Sequence, residues 1–152
     1  MSKDDRFQPA YWLAKIFAPL KRVPYLPILV DEQLKILTLF FRPRVFERMM
    51  DIVQWLRDLP GVYTRYHRFG GMEFRVENRE ICHIHGDGLV DIRLPRGHKN
   101  RVLDSSSAEV HHVQAQGDWV SYPITGKTDL DELKEVLQMT YDFRSGNSGP
   151  VS

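Results

Sequence analysis

The sequence predicts an α+β domain, with N-terminal helices, an antiparallel β-meander of about six strands, and a C-terminal helix packed on the sheet. Three observations predict it. Up to Pro60 the apolar residues recur at spacings of three and four, the helical period. From Val62 to Ile124 they alternate in short runs separated by Gly, Asn and Asp. After Thr128 the helical spacing returns and continues almost to the end of the chain.

The elements follow in order. Tyr11 to Leu20 reads as a short apolar helix, closed by Pro19 and Pro24. Asp31 is placed to cap a second helix running to about Phe41, with apolar Leu34, Ile36, Leu37, Phe40 and Phe41. Pro43 suits the first position of a third helix, which puts Val45, Met49, Ile52, Val53 and Leu56 on one face and ends before Pro60. Val62 to Arg68 is a strand, and Gly70-Gly71 a turn. Met72, Phe74 and Val76 alternate with Glu73, Arg75 and Glu77, which predicts a strand buried on one side only. Asn78-Arg79 makes the next turn, Glu80 to His85 a third strand, and Leu89 to Leu94 a fourth beyond the Asp87-Gly88 hairpin signal. Pro95 to Ser105 contains a short helix. Glu109 to Val113 and Trp119 to Ile124 are two further strands. Thr128 opens the last helix, with Asp131 three residues on and Leu130, Leu133, Val136, Leu137 and Tyr141 as its apolar face. The expected organisation is an apolar helical extension over residues 1–42, an α+β domain over 43–144, and a disordered tail over 145–152.

Composition narrows the function classes. A chain of 152 residues can bury about 70% of its unfolded surface, and 42% hydrophobic with 27% charged residues is ordinary for a globular protein. Lys and Arg total 21 against 20 for Asp and Glu, so the strong basic excess of a nucleic-acid binder is missing. The lone Cys82 excludes an internal disulfide and any zinc site built on CxxC pairs. Walker A, GxGxxG, HExxH and GxSxG patterns do not occur. No signal peptide and no transmembrane span is expected, because Pro24 and Pro27 interrupt the apolar stretch near the start and a spanning helix needs ~20 apolar residues. Residues 7–41 are nevertheless rich in Trp, Phe, Leu and Ile, with Lys15, Lys21, Arg22 and Lys35 interspersed. They either pack on their own domain or make a peripheral membrane or protein contact. A cytoplasmic location suits the single thiol, with a membrane-peripheral one as the alternative.

The chemistry concentrates in histidines. His83-Ile84-His85 places two imidazoles on one face of a strand, able to converge on one ligand, ion or reacting atom. Asp91 lies on the next strand. A three-residue loop at Gly86, Asp87 and Gly88 would set His83 opposite Asp91 and His85 opposite Leu89. A two-residue loop at Asp87-Gly88 would set them opposite Ile92 and Val90, among apolar residues. His111-His112 sends one ring to each face of its strand. Two histidines and a carboxylate are the ligand set of non-haem iron oxygenases, with His111 as a further ligand. A neutral histidine is equally a suitable general base for a weakly acidic hydroxyl. Cys82 alternates with His83 and so points into the core. Trp119, Tyr122 and Tyr141 are candidates for an aromatic pocket. Arg65, Arg68, Arg75 and Arg79 form a basic, solvated sheet face.

The stretches RFGGMEFRV, REICHIHGDGLVDIRLP, AEVHHV and GDWVSYPI, followed by a helix ending in TYDF, resemble the luciferase-domain family over roughly residues 43–144. These are small, mostly bacterial proteins whose domain is shared with the luciferases of bioluminescent fungi. The fungal pattern Glu-Ile-x-His-x-His is matched by Glu80, Ile81, His83 and His85, and a Glu-Arg-His stretch is matched at Glu109 and His111 but not at Val110. Asp91 stands where the fungal enzymes have a histidine, and the hairpin loop is shorter. The resemblance implies a cofactor-independent oxygenase acting on an enolic or phenolic small molecule, with Glu109 joining Trp119 and Tyr122 among the substrate-contacting positions.

Three readings therefore stand together. In the first, no cofactor is needed: His83 or His85 takes a proton from an enol or phenol, Asp91 or Glu80 orients the ring, and His111 stabilises the developing anion. In the second, His83, His85, Asp91 and His111 hold a divalent metal such as iron or zinc. In the third, the chain is a non-catalytic binding or interaction module whose contacts run through residues 7–41.

Overall fold

The computed structural model describes residues 25–68, 70–111 and 115–147. The helix expected at Tyr11 to Leu20, the side chain of His112 and the end of the tail lie outside them. The described elements are α1 (Leu26–Phe41), α2 (Pro43–Asp58), β1 (Tyr63–Tyr66), β2 (Met72–Val76), β3 (Arg79–Ile84), β4 (Leu89–Arg93), α3 (Lys99–Ser105), β5 (Glu109–Val110), β6 (Trp119–Pro123) and α4 (Leu130–Ser145). The strands form one antiparallel sheet in the order β1-β2-β3-β4-β6-β5. The first four are a meander. The last two are exchanged, so short β5 is an edge strand. This is the α+β architecture that the periodicity predicts.

One sheet face carries the core. Phe74, Val76, Ile81, Cys82, Ile84, Val90, Ile92, Val120 and Tyr122 meet Val45, Met49, Ile52 and Leu56 from α2 and Leu133, Leu137 and Tyr141 from α4. Burying a side chain of this size contributes about 1.5–3 kcal/mol, which makes this layer the main source of stability. The Tyr141 hydroxyl also donates to the Pro60 carbonyl, tying α4 to the loop after α2.

Local signals were displaced where tertiary contacts offered a better partner. α1 begins at Leu26, with Pro27 in its first turn, where a missing N–H costs nothing. Asp31 is therefore not a cap. It sits in mid-helix, buried, and accepts the backbone N–H of Gly86 at 2.8 Å. The cap of α4 is Asp129, one residue after Thr128, and it accepts the N–H groups of Asp131 and Glu132. The Thr128 hydroxyl instead closes the preceding loop by accepting the Thr125 N–H at 2.7 Å. The turn after β2 is Glu77-Asn78, both at positive φ, one residue earlier than expected. β2 is buried on both sides, because Glu73 lies under Arg65 and Arg75, which pair with it. α4 runs one residue beyond 144 and ends at Gly146 in the left-handed conformation.

α1 presents Leu29, Ile36, Leu37, Phe40 and Phe41 to solvent and packs through Leu34, Thr38 and Asp31. Among the described residues, no helix is long and apolar enough to cross a membrane.

Candidate functional site

The polar face of the sheet, opposite the core, owes its composition to one irregularity. Phe74 pairs with Cys82 and Arg75 with Glu80, so β3 carries one more residue than β2 over this interval. Ile81 and Cys82 both enter the core. The bulge shifts the alternation by one, and Glu80 and His83, three residues apart, share the other face. The loop at Gly86 to Gly88 then sets the hairpin: His83 is opposite Asp91, and the His85 N–H bonds the Leu89 carbonyl at 2.9 Å. Of the two registers left open by the sequence, this is the one that joins the histidines to the carboxylate.

Asp91 is the centre of the site and 1% exposed. Its Oδ2 lies 3.2 Å from His83 Nε2, 3.2 Å from His85 Nε2 and 3.4 Å from His111 Nε2. Its Oδ1 accepts the Ser121 hydroxyl at 2.5 Å, across the β4–β6 ladder. The outer nitrogens are also engaged. His83 Nδ1 lies 2.8 Å from Glu80 Oε1, and His85 Nδ1 lies 3.6 Å from Asp31 Oδ1. A carboxylate only accepts, so the His83 Nδ1 carries its hydrogen.

The electrostatics follow from this crowding. Burial alone would lower the pKa of His83, but hydrogen bonds to Asp91 and Glu80 outweigh it and the net shift is upward. For His85, burial is likewise overcome by Asp31 and Asp91, and the ring is pushed up to about 10. Burial would raise Asp91, yet its three imidazole partners hold it far below the usual carboxylate range. Burial raises neighbouring Asp87. The upward shifts of His83 and His85 and the downward shift of Asp91 have one cause, imidazoles and a carboxylate held against each other in a buried place.

The structure adds His67, which the sequence reading did not single out. Its ring stacks on His83 with centroids 4.1 Å apart and planes 7° from parallel. Burial, and then the nearby His83, lower its pKa to about 4. The signal was present: Tyr63, Arg65 and His67 share a parity, and Arg65 pairs with Glu73 on the histidine face. A cleft of about 450 Å³ opens here, lined by Arg65, Tyr66, His67, Arg68, Glu73 and Glu80.

The remaining candidates divide. Trp119 lies on the histidine face, 5.5 Å from His83 and 5.8 Å from His111 between ring centroids. Glu109 is opposite Ser121 on edge strand β5 and exposed. Tyr122 is on the core face, where its hydroxyl donates to Glu132, so it does not join the histidines. Tyr141 belongs to the core as well.

Among the described residues, two groups offer ligand atoms within 4.8 Å of one another: His83, His85 and Asp91, and His67, Glu80 and His83. Ring orientation separates them. Parallel stacking of His67 and His83 runs their in-plane lone pairs side by side. The rings of His83 and His85 stand at 83° to each other, and both Nε2 atoms face Asp91 Oδ2. The first group thus converges on one carboxylate oxygen, and the second is built on two stacked rings. His111 touches Asp91 but belongs to neither.

Comparison with curated proteins returns no match. Comparison with protein families returns one described as Luciferase domain, matched by residues 78–140. That stretch runs from the turn before β3 into the second half of α4 and includes Glu80, His83, His85, Asp91, His111 and Ser121. Over these residues the chain is similar to the luciferase-domain family.

Proposed function

We propose that this luciferase-domain protein is a metal-dependent enzyme that acts on an enolic or phenolic small molecule. His83 Nε2, His85 Nε2 and Asp91 Oδ2 hold the cation, and the substrate enters by the cleft beside His67 and Glu80. The observation that carries the reading is the spacing around Asp91 Oδ2. Ligand atoms ~2.0–2.2 Å from one ion lie roughly 2.8–3.6 Å from each other. Both histidine contacts are 3.2 Å. A charge-assisted N–H···O bond is usually shorter, about 2.7–2.9 Å. The Nδ1 atom of His83 rests on Glu80 and that of His85 faces Asp31, the pattern that orients metal-bound imidazoles.

The same geometry disfavours His83 or His85 as a general base. Both nitrogens of each ring already face a carboxylate, which leaves no nitrogen for a substrate proton. A divalent cation lowers the pKa of a bound hydroxyl without one. An enolate or phenolate made this way is electron-rich and open to attack on dioxygen, the oxygenase chemistry suggested by the family resemblance.

The test is metal content, measured by inductively coupled plasma mass spectrometry on untagged protein purified without chelator. Near-stoichiometric iron, zinc or manganese is expected in the wild type and none in His83→Ala or His85→Ala, with circular dichroism confirming that each variant is folded. A folded wild type that carries no metal and takes up none from solution overturns the proposal.

A further inference from the structure

α1 lies before the segment matched by the luciferase domain, yet its packing brings a carboxylate into the site. It is pressed at glycines against the β3–β4 hairpin and the β1–β2 turn. A Cβ on Gly86 would lie 2.3 Å from the Asp31 carbonyl oxygen and 2.6 Å from the Lys35 nitrogen, both backbone atoms. A Cβ on Gly70 would lie 2.8 Å from the Pro27 carbonyl oxygen. This close approach inserts the buried Asp31 side chain beside the hairpin. Its Oδ1 accepts the Gly86 N–H at 2.8 Å and stands 3.6 Å from His85 Nδ1, an ion-pair distance. On the far side of the same ring, Nε2 is 3.2 Å from Asp91.

We infer that Asp31 is a positioning residue for His85, and that α1 is a working part of the site rather than an appended helix. The inference rests on the cation site proposed above. One ring is held between two carboxylates from different parts of the chain: Asp91 fixes where Nε2 lies, and Asp31 fixes which way it points. The Gly86 N–H anchors Asp31 in turn, so the hairpin backbone and the His85 ring share one acceptor. Outer partners of metal-bound histidines typically change affinity 10- to 100-fold.

The experiment compares wild type with Asp31→Asn, which keeps an oxygen for the Gly86 N–H and removes the charge. Asp31→Ser removes the charge in less volume, with a hydroxyl one bond shorter, and guards against a folding defect peculiar to Asn. Cobalt(II) is titrated into metal-free protein and read from its visible absorption. The expected result is 10- to 100-fold weaker binding and an altered cobalt spectrum in a folded variant. Unchanged affinity and spectrum overturn the role of Asp31. A wild type that binds no cobalt sinks the cation site alone. Asp31 is then judged from the ring nitrogen NMR signals of His85 in metal-free protein at pH 7. These are expected to move in Asp31→Asn, and unmoved signals overturn the assignment.

Discussion

His83 faces Asp91 directly across the β3–β4 ladder, and its Nε2 stands 3.2 Å from the carboxylate Oδ2. Two more imidazoles and a serine hydroxyl reach the same carboxylate, one of the most deeply buried polar groups on the sheet. Asp91→Asn removes the charge these groups share and leaves raised-pKa histidines buried without it. The expected loss is about 3–5 kcal/mol in the metal-free protein, measured by urea unfolding, together with loss of cation binding. A variant as stable as wild type would mean that the cluster is solvated and weakly coupled.

The stability of the metal-free protein should peak near neutral pH. His85 is raised to about 10, so its contribution is complete below the unfolded value of ~6.5 and is lost as pH rises toward 10. His67 is lowered to about 4, so the folded state resists its protonation and stability falls as pH drops from ~6.5 toward 4. Melting temperatures of chelator-treated protein between pH 4.5 and 10 test both limbs. His85→Ala should shrink the alkaline limb to the part that His83 supplies and leave most of the acid one.

Gly86→Ala should loosen α1. The added carbon meets backbone atoms of α1 on two residues, and neither can move without the helix. A cost of about 1–3 kcal/mol is expected, with faster amide exchange in residues 26–41 than in α4. Equal exchange in the two helices would show that the hairpin, not the helix, gives way.

Tyr122→Phe separates the two sheet faces. The hydroxyl donates to Glu132, which also accepts the Ser107 N–H at 2.7 Å. Its removal should cost about 1.5–3 kcal/mol by chemical denaturation and leave cobalt affinity unchanged. A change in affinity would put Tyr122 in contact with the site.

Much of this fold is legible from period and punctuation. The Asp-Gly hairpin, the apolar face of α2 and that of α4 stand in the sequence as they stand in the structure. The site is less legible because it turns on single residues. Strand alternation puts His83 and His85 on one face but misplaces Glu80, since nothing local marks Ile81 as an extra residue. Asp31 has the composition of a cap, and only the fold supplies the Gly86 N–H that outcompetes that role. Glu73 belongs to the wet side by pattern and is covered by arginines from its own and the adjacent strand. His67 could have been found by extending the parity of Tyr63 and Arg65 past the end of β1.

The extra residue in β3 also means that the site is written in the length of the strand as much as in its letters. Deleting Ile81 would leave every ligand candidate present and restore uninterrupted alternation. Glu80, His83 and His85 would then fall at alternate positions of a regular strand and still share one face, whereas straightening the strand with Ile81 kept would turn Glu80 away from His83. The shorter strand would present the same face by plain alternation, and the longer one presents it only because one residue is tucked into the core, so spacing in the sequence is no guide to which residues meet here.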